Sequence, residues 1–501
     1  MRRKSFPQVL LGLAATLVCF AAVAHAGEPP WIEVQSAHFR VVSNAGDKSA
    51  REVAWEFEQI RAVIQRLWPW ARLQTDKPIV VLAAKDENAM KALVPKYWEQ
   101  KGGIRPASVS DSGPDRHYIA LRSDLRGSDQ QGANPNRFAF AAYSGFVLAG
   151  SFDRPLPVWF LLGIQGLFSN TFVQREDVLL GKLIPTDVNQ LRQGPRVPLR
   201  TLLDVDRTSS YYTRETDRLV FDREATALAN YMLFGEGGAN APKLDHFVGM
   251  LQEGKDPELA LRETFGDVDA LERSFLSYVK SPLFGYRKIG LEVSVREEGF
   301  AVRTLSPAEA AATRAGLHAA MRRPVEARAL LQEATQADPA LALAHEVEGL
   351  LWDQENKPDE ARKEYSRAVE LGSGSFYAHY RNAQLLSRPR ADHETLVRMD
   401  ASLERARALN PDFAAAWSFG AEIKVSLGEA ELGLALARRA VALEPRRSYH
   451  RVALARVLWR LSKREEAQRE ADQGLALAQT PQEKTRAQEF LDFMRKPSPS
   501  P

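Results

Sequence analysis

The stretch 137-RFAFAAYSGFVLAGSFDRPLPVWFLLGIQGLFSN-170 organises the first half of the chain. Its pattern predicts two apolar helices, one over 138–150 and a second that follows Pro155 and Pro157. A proline in the first turn of a helix is well placed, because the N–H that it lacks would have no partner inside the helix. Both segments are apolar on nearly all sides. In a globular protein this indicates helices buried at the centre of a domain.

The second of these helices carries a recognisable motif. The segment PLPVWFLLGIQGLFSN (155–170) resembles the second active-site helix of gluzincin metallopeptidases of the peptidase MA-like group, whose pattern is close to P-L-W-x-x-E-G-x-A-E-F-F-S. In that family the Glu before the Gly is the third zinc ligand, and the preceding helix carries H-E-x-x-H with two His ligands and a Glu general base. Gly163, Phe168 and Ser169 match the second pattern. The resemblance covers about 31–285 and implies an α+β zincin-like domain.

The positions that would carry the zinc chemistry hold other residue types. Ala141 and Ala142 stand where the first His and the Glu belong, Gly145 stands at the second His, and Leu162 replaces the ligand Glu. Catalytic zinc needs three protein donors and a base for its water. We therefore expect a degenerate site without metal, cofactor or catalytic residue, in a pseudoenzyme of the metallopeptidase fold. The plainer alternative is a pair of core helices unrelated to peptidases.

No other pattern supplies a catalytic centre. His38, His117 and His246 lie far apart in sequence, and none has His or Glu four residues later. They are expected to be surface or core histidines. Ser144 lacks the G-x-S-x-G setting of a nucleophile, and GEGGANAP (235–242) lacks the Lys of a phosphate loop.

The N-terminus has the composition of an export signal. Arg2, Arg3 and Lys4 precede an apolar run that ends in Ala24-His25-Ala26, which predicts a signal peptide over 1–26 with cleavage before Gly27. An uncleaved anchor is the alternative, although the apolar run is short for a membrane span. Removal of the three basic residues takes the formal charge from +3 to 0, so charge gives no support for nucleic-acid binding. The single cysteine, Cys19, lies within the predicted signal peptide. We expect a periplasmic or secreted protein whose mature chain has no cysteine and no membrane span.

The remaining pattern up to residue 300 mixes strands and helices. Strands are predicted over 31–45, 78–85 and 117–124, the last as the edge strand before the zinc helix of the family, and helices over 48–69, 87–97 and 221–235. The segment 171–215 is expected to be irregular. Two further helices are expected between the break at 235–242 and residue 285, and 286–304 is expected to form a small hairpin or linker strand. The first domain is predicted to span 27–300.

From residue 305 onward the chain has no strand pattern and repeats itself. Pro411 and Pro445 are 34 residues apart, and small residues recur at fixed phase. One such set is Ala315, Gly349, Ala383, Ala421 and Ala455; another is Ala334, Ala368, Ala406 and Ala440. This resembles tetratricopeptide repeats, whose helix–turn–helix unit has this length. About five repeats are predicted over 306–479, forming an all-α solenoid. Residues 480–501 are expected to be a helix end and a disordered tail.

The first helix of each repeat supplies the residues of a concave groove. The candidate partner-binding residues are Tyr377, Tyr380, Gln384, Arg388, Glu422, Tyr449, Arg456, Trp459 and Arg460. Aromatic and Arg side chains provide large contact areas and bidentate carboxylate binding, as interface hot spots do. The alternative for any single residue is packing against its neighbours. The sequence thus predicts an exported scaffold that binds a peptide or protein; a metallopeptidase with displaced ligands and an envelope assembly scaffold are the alternatives.

Overall fold

The computed structural model describes residues 29–99, 102–103, 105–125, 127–130, 132–290, 297–387 and 391–495. The predicted signal peptide, the candidate groove residue Arg388 and the tail from Lys496 lie outside the described residues.

A six-stranded sheet forms the base of the first domain. The described strands are β1 (Ile32–Gln35), β2 (Arg40–Ser43), β3 (Ile79–Ala84), β4 (Ser108–Ser112), β5 (His117–Arg122), β6 (Phe172–Val173), β7 (Asp177–Leu180), β8 (Arg287–Gly290) and β9 (Ala301–Thr304). The order in the large sheet is β4-β5-β3-β2-β1-β9, and β6-β7-β8 form a small second sheet. Strands β2, β3 and β5 are parallel. All six residues of β3 are buried, as expected for a central strand covered on both faces.

Three strand predictions need correction. The segment 31–45 forms two antiparallel strands, since the Ser36 N–H donates to the Phe39 carbonyl at 3.0 Å and reverses the chain. Segment 117–124 contains an inner strand, because the polar strand β4 pairs with β5 and takes the edge. The two described strands of the segment 286–304 do not pair with each other: β8 pairs with β7 and β9 with β1. The predicted domain end at residue 300 therefore falls short of β9, which still belongs to the sheet.

Twelve helices are described in the first domain. They are α1 (Asp47–Leu67), α2 (Glu87–Leu93), α3 (Lys96–Glu99), α4 (Arg137–Gly150), α5 (Val158–Ser169), α6 (Pro185–Gln193), α7 (Leu199–Asp204), α8 (Ser210–Thr213), α9 (Glu215–Phe234), α10 (Ala241–Gln252), α11 (Pro257–Phe265) and α12 (Val268–Lys280). The predicted helix 87–97 is split, because Pro95 disfavours helical backbone at the residue before it. The segment 171–215, predicted to be irregular, contains β6, β7, α6, α7 and α8, and three helices rather than two precede residue 285.

The second half is an array of antiparallel helix pairs. The helices are α13 (Pro307–Ala320), α14 (Pro324–Ala337), α15 (Ala342–Gln354), α16 (Pro358–Glu370), α17 (Phe376–Leu386), α18 (His393–Leu409), α19 (Ala414–Ser426), α20 (Ala430–Leu443), α21 (Ser448–Arg460), α22 (Arg464–Ala476) and α23 (Pro481–Arg495). Helices α13 to α22 form five pairs, in which the predicted small residues are buried where the helices cross. The expected helix end after 479 is a complete helix, because Phe490, Leu491 and Met494 pack into the last core cluster.

Helix α13 belongs to both halves of the molecule. Ala310, Leu317 and Ala320 pack against the sheet and α2, whereas Ala311 and Ala315 pack into the repeat core with α14 and α15. The first repeat helix therefore covers the face of the sheet opposite to α1 and α4. Within the described part of the chain, no helix is both long enough and apolar enough to cross a membrane.

Candidate functional site

The two apolar helices α4 and α5 lie side by side in the first domain. Ala141 on α4 and Leu162 on α5 line one cavity of about 290 Å³, which α9 and the segment 182–191 close on the other side. We call it the helix-pair cavity. Ala142 is buried, with 6% of its surface exposed. Two of the four positions aligned with zinc-site residues thus face a common space.

The space beside Gly145 is filled by a neighbouring side chain. A Cβ atom built on Gly145 would lie 1.9 Å from Nε2 of Gln165, so the amide of Gln165 occupies the position that a side chain at residue 145 would need. Methyl and isobutyl side chains offer no electron pair to a metal. The residues at these positions do not fit zinc. No group of three or more His, Cys, Asp or Glu in the described ranges is placed to hold a metal ion.

Four of the six charged residues that line the helix-pair cavity form two ion pairs. Nε of Arg218 lies 2.6 Å from Asp222, and Nε of Arg223 lies 3.5 Å from Asp187. Burial raises the pKa of Asp222, and the neighbouring Arg218 opposes that shift. Because these charges are paired, charged residues can line the helix-pair cavity next to the apolar helices α4 and α5.

The three histidines of the first domain have separate surroundings. Nδ1 of His38 lies 2.8 Å from Glu58. His117 contacts Asp76 through Nε2 at 2.9 Å and stacks on Phe146 with ring centroids 4.0 Å apart, whereas His246 is exposed on α10.

Four of the predicted groove residues surround one cavity near the end of the repeat array. Glu422 on α19 and Arg456, Trp459 and Arg460 on α21 line a space of about 580 Å³. Arg464 and two residues of α23, Phe490 and Phe493, complete the wall. We call this space the repeat cavity. It is open to solvent, and the Phe493 ring is about half exposed.

The repeat cavity combines aromatic surfaces with an excess of positive charge. Nη1 of Arg456 lies 3.2 Å from Glu422, and its guanidinium is 5.7 Å from the Phe490 ring centroid. The Arg464 guanidinium lies over the Trp459 ring at 3.4 Å. Three arginines and one carboxylate line the cavity, and Arg460 makes no ion pair among the described residues. This composition fits a ligand that presents an acidic group next to an apolar or aromatic one.

The other predicted groove residues that the structure describes are Tyr377, Tyr380, Gln384 and Tyr449. Tyr380 packs edge-on against Phe413 with ring centroids 4.9 Å apart, and its hydroxyl accepts a hydrogen bond from Nε2 of Gln384 at 2.7 Å. Burial raises the pKa of Tyr377 to about 12. Burial also raises the pKa of Tyr449, and the charge of Glu422 adds to the shift.

Phe490 and Phe493 are not among the predicted groove residues, because the sequence analysis predicts only a helix end after residue 479. Arg464 is not among them because it begins α22, the second helix of its repeat, and the prediction used first helices alone. The spacing of Phe490, Leu491 and Met494 is the pattern of a helix with one buried face, which could have indicated a further packed helix.

Comparisons with known proteins give similarity to solved structures alone, at low identity. No family model matches the chain, and no curated protein is similar to it. Among solved structures it is similar to YrrB, described as a TPR protein with an unusual peptide-binding site, with 17% identity, 36% of this chain and 92% of that chain covered, and a TM-score of 0.32. A second is PilF of Pseudomonas aeruginosa, with 15% identity, 37% and 86% covered, and a TM-score of 0.29. A third is PilW, described as a type IV pilus biogenesis factor, with 15% identity, 38% and 94% covered, and a TM-score of 0.28. Similarity at this level says nothing about the function of the present chain; the repeats are defined by their own helix pairs and spacing.

Proposed function

We propose that this chain is an exported bacterial binding protein whose repeat array holds a peptide or a segment of a partner protein. The observation that carries the proposal is the repeat cavity, where Glu422, Arg456, Trp459 and Arg460 meet on neighbouring helices. Trp459 offers a broad apolar surface, and Arg460 has a guanidinium free to bind a carboxylate. Stacked repeats present such side chains on one continuous surface.

The first domain is proposed to be a pseudoenzyme of the metallopeptidase fold. Support comes from the residue types at the four aligned positions, which include no metal donor, and from Gln165, which fills the space beside Gly145. Export is proposed from the sequence of residues 1–26, with a periplasmic or extracellular destination.

The binding proposal is tested with two matched sets of short immobilised peptides that share their Phe and Leu residues but carry either Asp and Glu or Lys. The fluorescently labelled mature chain should bind the acidic set, and more weakly as salt increases. Trp459→Ala and Arg460→Ala should each lower the affinity about tenfold or more. Arg398→Ala, at an exposed position on α18, is the matched control. The binding proposal is contradicted if neither peptide set binds, or if the two cavity variants bind as tightly as the unaltered chain.

The pseudoenzyme proposal has its own measurement. The mature chain is incubated with zinc, exchanged into metal-free buffer and analysed for bound metal. Retention well below one equivalent is expected; a stoichiometric zinc ion would point instead to a metallopeptidase whose ligands are displaced.

A further inference from the structure

A cavity of about 600 Å³ lies between the two halves of the molecule. On the side of the first domain it is bordered by Phe39, Arg61 and Tyr143; on the side of the repeats it is bordered by Phe376 and the segment 409–412. We call it the interdomain cavity. Its rim is held by a hydrogen bond from Nδ2 of Asn410 to the carbonyl of Asp76 at 2.8 Å. It shares no lining residue with the repeat cavity or the helix-pair cavity.

Arg61 supplies a positive charge to the lining of the interdomain cavity. It lies on α1 and borders the cavity, and it makes no ion pair with any of the described residues. The other two cations of the lining are engaged: Nε of Arg40 lies 2.5 Å from Glu33, and Nζ of Lys77 donates to the Gly113 carbonyl at 3.2 Å. A half-buried guanidinium without a carboxylate partner is a site for an anionic group.

Tyr143 adds a second group in need of a partner. Only 1% of this residue is exposed, and its hydroxyl has no hydrogen-bond partner in the described structure. It lies on α4 in the lining of the cavity, where burial raises the pKa of its phenol and the charges of Arg61 and Glu58 act on it in opposite directions. A buried hydroxyl without a partner is unfavourable for the folded state. A ligand oxygen bound at this wall would remove that cost.

The remaining lining narrows the chemistry of the ligand. Phe39, Ile79, Phe376 and Leu409 give the cavity apolar walls, and Asp412 is the carboxylate of its lining. One free guanidinium balances a single negative charge, and the nearby Asp412 disfavours a doubly charged group such as phosphate. A carboxylate attached to an apolar chain fits this lining, because its chain can contact the apolar walls and its single negative charge can pair with the guanidinium of Arg61.

We propose that the interdomain cavity binds an apolar carboxylate, with Arg61 holding its carboxylate group, the Tyr143 hydroxyl donating to it, and the chain lying along Phe39 and Phe376. The ligand bridges the two halves and stabilises their packing. Two sources share this chemistry: a free aliphatic acid and the C-terminal carboxylate of a peptide that ends in an apolar residue.

The test uses the mature full-length chain and isothermal titration calorimetry with four probes. Octanoate represents the free acids and acetyl-Ala-Leu the peptide C-termini; octanamide and acetyl-Ala-Leu-amide are their neutral counterparts. At least one acid should bind, at least about tenfold more tightly than its amide, a difference typical of a lost charge-assisted contact. Which acid binds identifies the source.

The variants assign the binding to this cavity. Arg61→Gln should weaken binding of the acid about tenfold or more, and Tyr143→Phe about twofold to fivefold. Tyr143→Phe removes a hydroxyl without a partner, so its thermal midpoint without ligand should equal or exceed that of the unaltered chain. Arg200→Gln, on the exposed surface of α7, is the control and should bind normally.

Three outcomes would overturn the proposal: neither acid binds at millimolar concentration, the amides bind as tightly as the acids, or Arg61→Gln binds like the unaltered chain. Because Trp459→Ala alters the repeat cavity alone, it should leave this binding unchanged. The proposal on the interdomain cavity and the proposal on the repeat groove can therefore fail separately.

Discussion

His318 is a buried residue in the helix that both halves of the molecule share. Its side chain is 2% exposed, and its Nδ1 atom has no partner among the described residues. Burial lowers its pKa from 6.5 to about 4, because the imidazolium would lose its hydration inside the protein. The folded protein therefore holds this imidazole neutral at neutral pH.

This shift predicts sensitivity to acid. Below pH 6.5 the unfolded chain binds a proton at residue 318 that the folded chain does not bind until about pH 4, so the free energy of unfolding falls as the pH falls through this window. At pH 4.5 the loss from this group is about 2 to 3 kcal/mol. In His318→Leu, the fall between pH 7 and pH 4.5 should be smaller by that amount. Urea unfolding at the two pH values measures it.

The control is His393→Leu, because His393 is exposed at the start of α18. That variant should keep the acid sensitivity of the unaltered chain. If His318→Leu and the unaltered chain lose the same free energy between the two pH values, the imidazole is not held neutral by burial.

At the scale of elements, glycines let the helices around the motif approach closely. A Cβ atom on Gly163 of α5 would lie 2.5 Å from the Ala225 carbonyl oxygen and 3.0 Å from the Ala229 Cβ atom, both on α9. These are backbone or near-backbone atoms that cannot rotate away. The match to the family's pattern at Gly163 therefore has a packing role independent of any metal.

Two helical glycines give opposite predictions for the same substitution. Gly163→Ala should destabilise the protein by about 1 to 3 kcal/mol, because α5 and α9 must separate. Gly145→Ala meets the end of the flexible Gln165 side chain, which can turn into the helix-pair cavity. There the higher helix propensity of Ala should leave stability unchanged or raise it by about 0.5 to 1 kcal/mol. Denaturant unfolding of both variants tests the pair; equal losses would contradict the packing of α5 on α9.

The sequence predicted the elements whose own residues carry a periodic signal. The continuous apolar run of β3 and the two apolar helices α4 and α5 are examples, and the 34-residue spacing predicted the repeat helices. It missed β4, whose residues SVSDS are mostly polar because an edge strand is partly exposed. It also missed the pairing of β9 with β1, since nothing local in β9 specifies a partner more than 260 residues away.

The candidate sites likewise differ in whether a periodic sequence pattern reveals them. Glu422, Arg456, Trp459 and Arg460 could be grouped because repeats place equivalent positions on one surface. The presence of Arg61 and Tyr143 in the lining of one cavity could not be predicted, because it depends on how α1 and α4 cross and on where the repeats dock. Such contacts arise from tertiary packing, which leaves no periodic mark in the sequence.

At the scale of the whole molecule, buried charges join the two halves as well as apolar contacts. Arg116, in the turn between β4 and β5, lies 2.5 Å from Asp115 and 2.6 Å from Glu346 on α15. Glu346 also accepts a hydrogen bond from the Ser373 hydroxyl at 2.6 Å. Buried charges of this kind are favourable only when their partners are in place, so these contacts favour one arrangement of the sheet and the repeats.

The shared helix predicts that the halves lose stability together. Leu317 on α13 is fully buried against the sheet, and residues on its other face, among them Ala315, pack into the repeat core. Leu317→Ala should lower the free energy of unfolding by about 2 to 5 kcal/mol, because the cavity forms in a packed core. Since α13 cannot loosen on the sheet without disturbing its contacts with α14 and α15, amide hydrogen exchange should accelerate in β3 and in α15 alike.

Leu331→Ala provides the matched comparison, because Leu331 lies on α14 and packs within the repeat core alone. Its cavity should accelerate exchange mainly in α13 to α15, with a smaller effect on β3. If Leu317→Ala instead accelerates exchange in β3 and leaves α15 unchanged, the sheet and the repeats unfold independently. The first repeat helix would then be attached to the sheet domain without forming a core that both halves share. In that case a ligand bound in the interdomain cavity would have little effect on the stability of the whole chain.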